Sequence, residues 1–416
     1  MLAGGTVSTL VGSGTAGGAA GWDTGAQLNA PFHLTHVPSQ GALYVTQAAT
    51  HVVVRVLCAW PTPSPTPSPS LSPTPSPAPP PPPAPRCALA TIAGNGVTPT
   101  LGYANTPASP TLFNSPWAIA PLGRGGGGGG GSSAPLFVVA DKANNRLRAV
   151  HANGTVVLLA GNGTATDGDG VGATASFNGP TALAAPADGA AAGGGGGGGA
   201  LLVLAAGGGG GLVRAVSPEG VVVTLGPGPP GAEGLAVAAA VRFPGINVSA
   251  VYIADTASHV LALLLPHNKS LVGAWCGVGG GAPSYAEGPC ASAGFSTPRG
   301  LALGGWGGSA PPGSANKLYV ADSGNHRLRV VNLLTSMVST LVGSGLPKLL
   351  DGVGAVVAFF EPAGLAISPD GSRLLVTELG NHGVREVALG EVVRVTTLAY
   401  GGTSPGLANG AAIGAA

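Results

Sequence analysis

Four histidines, His51, His259, His326 and His382, occupy one position of a short phrase that recurs along the chain, "NHRLRVV" at 325–331 being its fullest form. Histidine is a common metal ligand, but residues at one repeated position are spread around an array and do not converge on an ion. A structural role is therefore predicted. Asp141, Asp255 and Asp322 end the stretch before the phrase, with Glu378 in the last copy, where a carboxylate can accept turn N–H groups. His326 and Arg327 are assigned to the same turn. Catalysis would need different residues from different copies. The unit that opens the array offers His33 and His36 on its first strand, and no Glu, Asp or Asn is expected on the other first strands to face them. No Ser-His-Asp or Cys-His set has supporting context, and "GRGGGGGGG" lacks the Lys-Ser/Thr of a phosphate loop. No catalytic residue, metal or cofactor is predicted.

The four cysteines form two local pairs. Cys58 and Cys87 bracket a Pro-rich stretch at a point where two strands of one unit should lie about 5 Å apart, which suits a crosslink. Cys276 and Cys290 bracket "GVGGGAPSYAEGP" in a connection between units, and both pairs are predicted to be disulfides. Sequons at Asn153, Asn162, Asn247 and Asn268 are glycosylation candidates. Disulfides and sequons point to secretion, whereas "MLAGGTVSTLVGSG" lacks the basic and apolar segments of a signal peptide. The expectation is a fragment, or a chain missing its true N-terminus.

The elements that position these residues repeat with them. "LYVADSGNHRLRVV" at 318–331 has copies beginning at Leu43, Leu136, Val251 and Leu374. A second phrase ends in Leu-x-Gly ("STLVGSG" to Gly345), and a third places Phe before Pro ("FNSPWAIA" from Phe113). One unit is four short strands separated by turns, the pattern of a propeller blade. Six complete units predict an all-β fold: residues 1–416 as one six-bladed β-propeller of four-stranded antiparallel blades. "TVSTLVG" at 6–12 is a surplus closing strand, and the tail "SPGLANGAAIGAA" reads as the start of another connection. Both ends thus look cut from a longer array.

The 74 Gly and 39 Pro of the 416 residues gather in inserts. Gly-rich loops are assigned at 125–131, 193–199, 207–211 and 304–308, and a polyproline II insert at 61–85. The runs at 125–131, 193–199 and 304–308 fall between first and second strands, and 61–85 between third and fourth, so all four leave on one face. Connections on the other face keep a constant length, with Gly14 to Pro31 and Gly345 to Pro362 each 17 residues apart. That regular face is the candidate binding face, with Trp22, Tyr103 and Tyr285 as its aromatic anchors. A net charge of +1 with 8% charged residues leaves no basic surface for nucleic acid. No apolar run reaches the roughly 18 residues that span a bilayer.

"LYVADSG" followed by "NHRLRVV", together with "DGVGAVVAFFEPAGLAI" at 351–367, resembles the NHL repeat. The Ser-Pro and Thr-Pro pattern of 61–85 resembles the shafts of plant and green-algal wall glycoproteins. These resemblances imply a non-catalytic scaffold, extracellular or wall-associated, that binds a protein or glycan through its regular face. The alternatives they leave are a propeller enzyme of the amidating-lyase or lactonase kind and an intracellular NHL adaptor.

Overall fold

The computed structural model describes residues 28–37, 42–59, 86–93, 112–121, 135–151, 154–185, 201–205, 211–229, 231–238, 242–243, 246–247, 250–279, 281–304, 316–368 and 370–400. They form six antiparallel sheets arranged as blades. Blade one comprises Pro31–Val37, Ala42–Gln47, Val52–Ala59 and Arg86–Ala93. Blade two comprises Pro116–Pro121, Pro135–Asp141, Arg146–His151 and Val156–Ala160. Blade three is Pro180–Ala184, Leu201–Ala205, Gly211–Val216 and Val221–Gly228; blade four is Ala232–Ala238, Ala250–Asp255, Val260–Leu265 and Ser270–Cys276. Blade five is Pro298–Leu303, Lys317–Asp322, Arg327–Asn332 and Met337–Val342. Blade six is Pro362–Ile367, Arg373–Glu378, Gly383–Ala388 and Arg394–Tyr400. A two-strand ribbon, Arg242–Phe243 with Ile246–Asn247, interrupts the first turn of blade four.

Each blade buries its faces against its two neighbours, so the core consists of six clusters between blades. Leu147 and Val138 of blade two meet Leu183, Val203 and Val216 of blade three across Phe177. The ring closes in the same way: Leu34, Val45 and Val54 of blade one pack on Leu375, Val384 and Leu398 of blade six. First strands contact the first strands of the adjacent blades and line the axis. Residues 6–12, expected as a surplus closing strand, lie outside the described residues. Blade six completes its sheet with its own Arg394–Tyr400.

The expectation of uniformly four-stranded blades needs correction. Blades three, five and six carry a fifth, two-residue outer strand: Gly170–Val171, Gly288–Pro289 and Gly352–Val353. The cause is the acidic residue just before each. Asp169, Glu287 and Asp351 accept the backbone N–H of Thr224, Thr340 and Thr397 on the fourth strand, at 3.0, 2.9 and 2.8 Å. That clamp holds the connection against the sheet edge, and two further residues then pair with it.

Candidate functional site at the channel mouth

The recurrent acids and histidines form a network that holds blades and connections together. Asp322 ends the second strand of blade five, fully buried, and its carboxylate accepts from Ser296 N at 2.7 Å, Asn325 Nδ2 at 2.8 Å and Arg329 Nη1 at 3.0 Å. Asp141 repeats this with Asn114 N, Asn144 Nδ2 and Arg148, and Glu378 with Phe360 N, Asn381 Nδ2 and Arg385. In blade one Gln47 replaces the acid, and its Oε1 accepts from Asn29 N at 2.6 Å. Asp255, in a blade with no matching arginine, accepts from Ser258 N at 3.1 Å. Blade three has no such acid, and its buried Arg214 pairs instead with Asp167 and Asp169 of the incoming connection.

Each histidine sits just after this turn with a positive φ: 57° at His51, 58° at His259, 54° at His326 and 50° at His382. That geometry turns Nδ1 toward the next blade. His51 Nδ1 accepts from Ser115 N at 2.8 Å, His259 from Thr297 N at 2.8 Å, His326 from Glu361 N at 3.3 Å, and His382 from Ala30 N at 3.1 Å. Asn145 does the same in blade two, with Oδ1 accepting from Gly179 N at 2.9 Å. The last of the histidine bonds joins blade six to blade one. Arg327 lies beside this turn, donating to Asn325 O and Ser344 O. Gly345, at φ +84°, leaves room for its guanidinium, which a Cβ there would strike.

The chemical variety lies one step further in. The residue that opens each first strand pairs with the one that ends the second: Pro31 with Gln47, Pro116 with Asp141, Pro180 with Ala205, Ala232 with Asp255, Pro298 with Asp322 and Pro362 with Glu378. In all six blades the register breaks immediately after it. A bulge of this kind re-aims the side chain it carries. The first residue in each break is Phe32, Trp117, Thr181, Glu233, Arg299 or Ala363, followed in blades two, five and six by a second, small one, Ala118, Gly300 or Gly364.

Several of these side chains meet. The Phe32 and Trp117 rings have centroids 4.0 Å apart. Arg299 donates to Glu233, and its guanidinium lies 5.6 Å from the Phe32 ring centroid. Lys142, the first residue after the second strand of blade two, holds Nζ 3.5 Å from the centroid of the Trp117 ring. Burial pushes the Lys142 ammonium pKa down and the Glu233 carboxyl pKa up, and each also feels the other and Arg299. Trp117 Nε1 is buried without a hydrogen-bond partner among the described residues.

The two first-strand histidines do not join this group. Burial drives the His33 pKa down to about 4, and its ring bonds the backbone of Ile119 in blade two. His36 lies three residues along the strand and feels Asp370, at the opposite end of the channel. Among the described residues no three His, Cys, Asp or Glu side chains are grouped to hold a metal. The expectation that no acid stands on the other first strands is overturned by Glu233. Unit four has no Pro at the position that opens its first strand, Ala232, so no opening Pro places Glu233 on it. The signal available in the sequence was the residue before Gly-Leu-Ala, which is Glu233, Arg299 and Ala363 in units four, five and six.

Cys276 and Cys290 are bonded, with Cα atoms 4.3 Å apart, tying the fourth strand of blade four to its outgoing connection. Cys58 and Cys87 are direct partners in the register of the third and fourth strands of blade one. Of the aromatic anchors, Trp22 and Tyr103 lie outside the described residues. Tyr285 is 45% exposed, but its ring covers Arg327 and Arg329 and its hydroxyl meets Thr340 and Glu287. Asn162 and Asn268 are exposed, Asn247 sits on the short ribbon, and Asn153 lies outside the described residues.

A 75-residue stretch, 18% of the chain, is 39% identical to NHL repeat-containing protein 2 of Bos taurus. The repeat is NHL-like. A 91-residue stretch is 36% identical to Protein SUPPRESSOR OF QUENCHING 1, chloroplastic, of Arabidopsis thaliana. These matches cover only 10% and 8% of the two relatives' own lengths, and no family model matches the chain. Auxiliary nutrient binding proteins of Bacteroides thetaiotaomicron and Bacteroides ovatus share the fold, each with a TM-score of 0.51 over 94% of this chain, at 13% and 11% identity. Their structures align over 75% and 76% of their lengths. No helix among the described residues is long and apolar enough to cross a membrane.

Proposed function

We propose that the chain is a non-catalytic binding propeller that engages a protein or glycan at the channel mouth, on the face of the inter-blade connections. The observation that carries this reading is the group of partly exposed side chains at the bulges, Trp117, Glu233 and Arg299, with Lys142 beside them. Phe32, Thr181 and Ala363 at the same position are buried. The structural positions change little in chemistry: Gln47 stands in for the acid in blade one and Asn145 for the histidine in blade two, each keeping the same acceptor role. Here one position, re-aimed by a bulge in every blade, carries Phe, Trp, Thr, Glu, Arg and Ala. The disulfide between Cys276 and Cys290 supports an oxidising, extracellular setting.

The purified chain is to be probed on protein and glycan arrays beside Arg299→Glu, which reverses charge at the mouth, and a deletion of residues 61–85. Binding that survives the deletion and is lost in Arg299→Glu, with an unchanged urea midpoint, is the expected result. Binding indifferent to Arg299→Glu overturns the reading. A second reading, a mouth-centred enzyme, draws on the raised Glu233 and lowered Lys142 pKa values, since perturbed groups of this kind suit proton transfer. Turnover in a lactone and ester screen that disappears in Glu233→Gln would favour it.

A further inference from the structure

The charges at the mouth do not cancel. Arg299 and Glu233 satisfy each other as an ion pair. Lys142 has no carboxylate within ion-pair distance among the described residues and rests on the Trp117 ring. A half-buried ammonium so held has already lost part of its water, so an incoming anion displaces less hydration than at an open surface. The site also keeps an unused donor, Trp117 Nε1, and an acceptor side, the Glu233 carboxylate.

We infer that the mouth takes a monoanionic hydroxy-carboxylate of the sugar-acid class. The ligand carboxylate pairs with Lys142 Nζ, and its hydroxyls use the Glu233 carboxylate and the Trp117 indole N–H. One negative charge balances the one uncompensated cation. A dianion such as a phosphate monoester brings a second charge against Glu233, where like charges repel. A neutral sugar leaves Lys142 desolvated and unpaired. The inference rests on the reading that the mouth is the binding site, and it adds the chemistry of what enters.

Isothermal titration of the full chain with glucuronate, glucose, glucose 6-phosphate and an acidic peptide tests it. Glucuronate is expected to bind at least about tenfold more tightly than the other three, a charge-assisted hydrogen bond's worth of discrimination. Lys142→Met should remove that preference and Lys142→Arg restore most of it, with the thermal midpoints of both variants checking the fold. If array ligands depend on Arg299 but glucuronate binds no better than glucose, the sugar-acid assignment falls and the mouth survives as the site. Tighter binding of glucose 6-phosphate or the peptide likewise overturns the ligand class. Glucuronate binding unaffected by both Lys142→Met and Arg299→Glu removes the mouth itself.

Discussion

Replacing His382 by alanine should loosen the seam that closes the ring. His382 Nδ1 accepts the Ala30 N–H at 3.1 Å, a contact between blade six and blade one spanning 352 positions of sequence. Truncation leaves that part-buried amide without its acceptor, which costs about 1–3 kcal/mol. His382 also holds φ at +50°. Histidine bears the steric cost of the left-handed region in the wild type as alanine would, so that cost largely cancels, whereas asparagine tolerates the region better. The cost of His382→Ala is therefore about 1–3 kcal/mol. His382→Asn should cost less than about 1 kcal/mol, because blade two already solves the same problem with Asn145 and Gly179 N at 2.9 Å.

The measurement is the urea midpoint of the three proteins at two pH values. An imidazole accepting through Nδ1 is neutral at that nitrogen, and burial lowers the pKa of His51, His326 and His382 below 6.5. The unfolded chain therefore binds protons before the folded one does. The stability from these bonds is complete above about pH 6.5 and is lost as pH falls from there through the lower folded values. His382→Asn should show a shallower loss than wild type across that window. Equal midpoints for His382→Ala and His382→Asn, or an acid limb of His382→Asn as steep as that of wild type, would refute the account.

Asp322→Ala should cost about 3–5 kcal/mol, because it strands the fully buried Arg329 guanidinium; a urea series should find Asp322→Ala with Arg329→Met less unstable than the two single effects added. Phe295→Ala should cost about 3–5 kcal/mol in the same assay, since its ring is fully buried between blades four and five. Serine at both Cys276 and Cys290 should lower stability by about 3 kcal/mol for a loop of this size, and reducing agent should then have no further effect at that site. Non-reducing peptide mapping should recover Cys58 linked to Cys87; free thiols at both positions would show that facing register did not produce a bond.

The sequence by itself determined the repeat, and with it the number of blades. Alternating apolar runs, the Ala-Asp end of the second strand and the Leu-x-Gly end of the fourth recur in order, and each reports local chemistry of a turn or a pleat. It also placed Cys276 beside Cys290 in one connection, and put His326 and Arg327 in one turn. Ring closure was not legible, because the contact of Leu34 with Leu375 and of Ala30 with His382 joins the two ends of the described chain. Nor was the fifth strand, which needs Asp351 to reach Thr397 across 46 positions. The mouth was decided by tertiary structure alone. Phe32, Trp117, Lys142, Glu233 and Arg299 belong to four different blades, and although four of them hold one repeat position, nothing local says which of them meet. They come together because six equivalent bulges stand at one level around a common axis.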